Sequence, residues 1–205
     1  MPKYIYTIIG LILATDIQAQ SLWDSSKPDD IFTYKVLTGM NVSSTDGNEA
    51  TAVRTGYHIG GMVDYNIVKS FSVCSGLSFA TKGFHSGRGK ADLVYIQIPI
   101  IASYRLETPT GVKFHFNVGP YFSYGIGGEI NFEPLDFNYY YLFDQKSFGD
   151  KGFFTRYDVG LSAGAYILLG HVQLGVSYEY GLKDIAKVYG EFHNRNVSMT
   201  VGYNF

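Results

Sequence analysis

Eight stretches of this chain alternate apolar with polar or small side chains residue by residue, and the segments joining them alternate just as regularly between short and long. The stretches are residues 31–43, 55–67, 70–82, 93–105, 112–127, 153–168, 171–182 and 194–205. Such alternation puts successive side chains on opposite faces of an extended chain, so each stretch reads as a β-strand with one apolar face. No helical period of helical length appears between them. The connections run "STDGNEATAVRT", "VK", "GFHSGRGKADL", "LETPTG", a long segment around "EINFEPLDFNYYYLFDQKSFGDK", then "LG" and "KDIAKVYGEFHNR". Strict exchange of tight turns and long loops is the pattern of an up-and-down barrel, whereas Greek-key sandwiches do not produce it so regularly.

Composition agrees with an all-β reading. The 205 residues hold 24 Gly, 18 Tyr and 15 Phe, with 17% charged, a turn-rich and strand-favouring mixture. No linker or charge run divides the chain, so one domain is expected. The net charge of -2 and the lack of a basic stripe argue against nucleic acid as a partner. One cysteine, Cys74, rules out an internal disulfide and a cysteine zinc cluster.

The two faces differ in a way that fixes the medium around them. One face collects Val36, Met40, Ile59, Val63, Leu77, Ile98, Ile100, Val118, Leu161, Leu174, Val176, Met199 and Val201, with aromatics toward the strand ends. Tyr34, Tyr65, Phe71, Tyr104, Phe116, Tyr203 and Phe205 gather near the tight turns, and Tyr57, Phe79, Phe122, Tyr124, Tyr157, Tyr178 and Tyr180 near the long loops. Two aromatic belts with aliphatics between them match the two water–lipid boundaries around a membrane barrel. The other face is rich in Gly, amides and charge. A soluble ligand carrier needs an apolar interior, so the predicted fold is an eight-stranded antiparallel transmembrane β-barrel with its apolar face toward lipid. Tilted strands of about 9–11 residues suffice to cross.

The start "MPKYIYTIIGLILATDIQAQ" has Lys3, then an apolar stretch too short to span a bilayer, then small residues near Ala19. This order predicts a signal peptide over residues 1–19, removed on export, and a barrel domain over 20–205. An even strand count puts both termini, with the tight turns, on the periplasmic side and the long loops outside.

The aromatic end "VSMTVGYNF", with Tyr203 and Phe205, resembles the insertion signal that Gram-negative outer-membrane barrels present to their assembly machinery. More narrowly, "YIQIPIIASYR", "FNVGPYFSYGIGG", "RYDVGLSAGAYI", "VQLGVSYEYGL" and "VSMTVGYNF" resemble the PorT-type outer-membrane β-barrel family. The resemblance implies localisation in the cell outer membrane, with outer-membrane lipid, the barrel-assembly machinery and secretion or envelope proteins as partners. It implies no cofactor.

Eight strands enclose little more than the volume of their own inward side chains. Inward charges are therefore expected to plug the lumen in two clusters, Arg156, Asp158, Glu179 and His58 toward the loops, and Lys35, Asp64, Arg105 and Lys113 toward the turns. Paired, they hold strands in register; a small ion path is the functional alternative. A lipid-modifying enzyme is the rival class, but the His58, Asp158 and Glu179 neighbourhood lacks an assignable serine. No catalytic set or metal-ligand spacing is assigned. The loop aromatics Phe132, Phe137, Tyr139, Tyr140, Tyr141 and Phe143 form either a strand extension beyond the bilayer or an external binding surface. Pro99 and Pro120 fall inside strands, where a bulge is expected.

Overall fold

The computed structural model describes residues 23–46, 52–86, 89–132, 147–148, 154–185 and 193–205. Its strands are β1 (Phe32–Asp46), β2 (Arg54–Val68), β3 (Phe71–Ser86), β4 (Gly89–Glu107), β5 (Lys113–Gly127), the short β6 (Ile130–Phe132), β7 (Tyr157–Leu169), β8 (Val172–Gly181) and β9 (His193–Asn204). Each long strand pairs antiparallel with its sequence neighbours, β5 with β7, and β1 with β9 from Lys35↔Asn204 to Asp46↔His193. That last pairing closes an eight-stranded up-and-down barrel and removes both sheet edges.

The tight turns form as the sequence suggests. Gly170 adopts a φ of 59° between β7 and β8, and Gly111 a φ of 81° between β4 and β5, values that a side chain disfavours. Thr108 secures the second turn, its Oγ1 accepting from Val112 N–H at 3.1 Å.

The third connection differs from expectation. "GFHSGRGKADL" is not a long loop, because β3 and β4 continue pairing to Ser86↔Gly89. The reason is burial: in the extension Phe84, Ala91 and Leu93 turn inward and are nearly inaccessible. β6 pairs with the start of β4, Gly89↔Phe132 to Ala91↔Ile130, and lengthens this side of the wall further.

The prolines also differ from expectation. In β4–β5 the pairs Pro99↔Tyr121 and Ala102↔Val118 keep one register across the gap. The ladder is interrupted there without a bulge, since omitting bonds at Pro99 and Pro120 needs no extra residue. The Pro99 carbonyl still accepts from Ser75 Oγ at 2.8 Å. The β4–β5 register instead shifts at Val94/Tyr95.

The apolar face looks outward. Val36, Met40, Ile59, Val118, Leu161, Val176, Met199 and Val201 are all exposed, whereas Asn41, Ser72, Ser103 and Asp158 on the alternate face are buried. Exposed Tyr34, Tyr65, Phe116, Tyr203 and Phe205 mark the turn end, and Tyr57, Tyr124, Tyr157 and Tyr178 the loop end.

Candidate functional site: the polar lumen

The inward face is built in layers. Nearest the turns, Lys35 Nζ lies 2.9 Å from Asp64 Oδ2 on the adjacent strand, both side chains almost fully buried. Arg105 completes this layer, donating to Asn66 Oδ1 at 2.6 Å and Ser72 Oγ at 2.7 Å, with Asp64 at 3.9 Å. Lys113 does not join it. At the very start of β5, it reaches Glu107 at 3.5 Å across the strand ends, where both side chains are exposed and water competes for them.

Above this layer Met62, Cys74 and Ile101 form a small apolar core, with Leu37 packed against it. Alongside, a cavity of about 100 Å³ is lined by residues from around the barrel, among them Asn117, Tyr166, Gln173 and Asn196. Gln173 Oε1, Asn117 Oδ1 and Asn196 Oδ1 are buried without a hydrogen-bond partner among the described residues, the polar lining that suits a few enclosed waters. Its volume is well below the ~300–1,000 Å³ of a small-molecule site.

The next layer ties the barrel across its width. Glu179 accepts from Lys82 at 2.9 Å, from Asn196 Nδ2 at 3.0 Å and from Gln97 Nε2. Gln97 Oε1 in turn accepts from Lys82 Nζ at 2.9 Å and Ser123 Oγ at 3.0 Å. Lys82 also stands 4.6 Å above the Tyr121 ring centroid, within cation–π range. Asn41 Nδ2 donates to the Tyr57 and Thr81 carbonyls, leaving Oδ1 to accept from Ser198 Oγ at 3.0 Å and His58 Nδ1 at 2.6 Å. His58 Nε2 then accepts from Thr200 at 3.1 Å. This network links β1–β5, β8 and β9. Asp158 on β7 accepts from Asn194 Nδ2 at 2.8 Å and Tyr121 OH at 3.4 Å.

The predicted loop-end cluster is thus rearranged. His58 meets neither carboxylate, and Arg156 is absent from the layer. Placed just before β7 at the rim, Arg156 donates to the Gly125 carbonyl at 2.8 Å and lies over the Tyr124 and Phe148 rings. The cation that pairs with Glu179 is Lys82, which sequence reasoning missed although it shares strand phase with Ser72 and Gly76. Tyr95 and Tyr121 were missed likewise, in phase with Gln97 and Gly119.

The mouth at the loop end is filled by a buried apolar cluster of Phe84, Ala91, Leu93, Tyr95, Phe148, Phe154 and Ile185. Inward glycines make room for such rings: a Cβ on Gly160 would lie 2.6 Å from the Tyr121 ring, and one on Gly175 would run into Tyr166. Of the predicted loop aromatics, Phe137, Tyr139, Tyr140, Tyr141 and Phe143 lie outside the described residues, and Phe132 ends β6. Tyr203 faces lipid beside Phe205, their rings 5.2 Å apart, and Phe205 N–H donates to Tyr34 O at 2.9 Å.

A closed antiparallel wall, lipid-facing outside and polar within, defines a transmembrane β-barrel protein of the outer membrane. Residues 18–187 match the outer membrane protein beta-barrel domain family, and the chain belongs to it. Among solved structures it is similar to Neisserial surface protein A, with 12% identity over 84% of this chain and 97% of that one and a TM-score of 0.52. It is also similar to Ail, the attachment invasion locus protein of Yersinia pestis, in complex with the heparin analogue sucrose octasulfate, with 13% identity over 86% of this chain and 100% of that one and a TM-score of 0.50. At these identities the likeness is one of fold. No curated protein matches the chain in sequence.

Proposed function

We propose that the protein is a non-enzymatic outer-membrane barrel whose role is structural or interactive, with PorT-like service to secretion or envelope assembly as its specific form. The observation carrying this reading is the lumen. Its polar groups bond one another, across the barrel from Lys82 to Glu179 and between neighbouring strands from Asn41 to His58, and apolar side chains fill the mouth. Functional contacts then fall to the loops, the rims and the lipid-facing wall. A lipid-modifying enzyme finds no support at His58, whose two ring nitrogens face Asn41 and Thr200 rather than a nucleophile and an acid.

In the same reading residues 1–19 are removed on export, the mature chain begins at Gln20, the termini and turns are periplasmic, and Phe205 presents the chain to the barrel-assembly machinery. Two measurements in intact cells test it. A cysteine introduced as Asn138→Cys is labelled by an impermeant maleimide and one introduced as Thr110→Cys is not; the reverse pattern refutes the orientation. Photocrosslinkers at Tyr139 to Tyr141 and at Phe205 capture secretion or envelope proteins and the assembly machinery respectively. Capture of neither class by correctly assembled barrel removes the accessory role.

A further inference from the structure

Residues 23–31 precede β1 and lie outside the closed wall of strands, yet they are hydrogen-bonded to its turn rim. Asp24 N–H donates to Ser70 Oγ at 2.8 Å, Ser70 N–H to the Asp24 carbonyl at 3.2 Å and Lys69 N–H to the Ser26 carbonyl at 3.1 Å. Closer to β1, Asn66 donates through Nδ2 to the Asp30 carbonyl and through its N–H to the Ile31 carbonyl, both at 2.8 Å. Lys69 Nζ lies 3.5 Å from Asp29. Ser26 bonds the Asp24 carboxylate through its side chain and through its N–H, the latter at 2.9 Å, which holds the carboxyl below the usual carboxylate range and leaves the charge in water.

At its far end this polar arm delivers an indole to the opposite kind of surface. The Trp23 ring stacks on Tyr104, with centroids 6.1 Å apart and planes within 4°, and approaches Phe71 at 6.2 Å. Phe71 and Tyr104 are direct partners across β3–β4, and Tyr104 and Phe116 across β4–β5. Trp23 therefore lies on an aromatic row of the outer wall, at the turn end where Tyr65, Tyr203 and Phe205 are also exposed. It is still 49% exposed. A half-covered indole on a lipid-facing wall, joined to a solvated polar arm, matches the preference of tryptophan for the headgroup layer.

We infer that residues 23–31 form a membrane-boundary clip, in which Trp23 inserts into the interfacial layer of a phospholipid bilayer and fixes the arm and the β2–β3 turn at that depth. The partner is lipid, in its headgroup and glycerol region. Aromatic stacking supplies the position of the ring, and the Ser70 and Asn66 bonds keep the arm from entering the hydrocarbon.

Trp23 is the only tryptophan in the chain, so fluorescence reports on it alone. The purified protein is folded into phosphatidylcholine vesicles, and folding is checked by heat-modifiable gel migration. Lipids brominated near the headgroup end of the acyl chain are expected to quench emission more than lipids brominated near the terminal methyl. Equal or stronger quenching from the deep bromines, or accessibility to aqueous acrylamide alone, overturns the inference. Tyr104→Leu keeps an apolar wall residue and removes the stack; acrylamide quenching is expected to rise about twofold. Unchanged quenching by acrylamide and by bromines in that variant shows that the stack does not hold the clip.

Discussion

Lys82 on β3 and Glu179 on β8 meet at 2.9 Å from opposite walls of the barrel, with three long strands separating them in either direction round the closed sheet. The pair therefore spans a diameter, unlike Lys35 and Asp64, which join adjacent strands. Removing one partner of a buried pair leaves the other charge uncompensated, at a cost of about 3–5 kcal/mol. Lys82→Met is expected to lower the urea midpoint for loss of heat-modifiable migration accordingly, and Lys82→Met with Glu179→Leu to recover most of the loss. A double variant as unstable as the single one contradicts this account of the pair.

Met199 tests which solvent the outer face meets. It is 67% exposed near the middle of β9 and pairs with Met40 and Val176. Arginine at bilayer mid-depth costs about 2–4 kcal/mol, so Met199→Arg should reduce folding into vesicles by that amount. Met199→Leu should be nearly neutral. An arginine variant that folds as stably as wild type places this residue in water.

Gly175 tests the packing of the lumen. A Cβ there meets the Tyr166 ring and approaches the Ala165 carbonyl, so Gly175→Ala forces the ring or the strand to move. Overpacking of this kind costs about 1–3 kcal/mol, measurable as a lower unfolding midpoint in the same assay. Gly61, where a Cβ meets nothing within 4 Å, provides the control, and Gly61→Ala should be nearly silent.

Cys74 offers a chemical readout of closure. It is buried beside Met62 and Ile101, and a thiol reacts only as an accessible thiolate. Maleimide labelling of the folded barrel should be slower than that of the urea-unfolded chain by about a hundredfold or more. Comparable rates before and after unfolding demonstrate that reagent reaches the lumen.

Strand phase was legible in the sequence because alternation has a fixed period and the outer face tolerates only apolar side chains. Val36, Met40, Ile59 and Met199 announce lipid, Lys35 and Asp64 announce the interior, and the tight turns at Gly111 and Gly170 carry their own conformational signature. Phase also placed Lys82, Tyr95 and Tyr121 on the inner face, although their importance was not visible there. What sequence could not supply was stagger: which inward residues share a level depends on strand tilt and on the β1–β9 closure. Hence Glu179 pairs with Lys82 and not Arg156, and His58 turns to Asn41 and Thr200 rather than to a carboxylate.

The strand extension of β3 and β4 escaped detection for a related reason. "GFHSGRGKADL" is rich in Gly and charge, the local chemistry of a loop, while its few apolar residues gain burial only against Phe148, Phe154 and Ile185 from distant parts of the chain. The sequence by itself determined an alternating wall and the side of it that meets lipid, since both follow from the solvation of individual side chains. Only the closed tertiary structure decided the partners inside that wall, the plug at its mouth and the position of Trp23 on its rim, because each depends on residues brought together by circumference rather than by order along the chain.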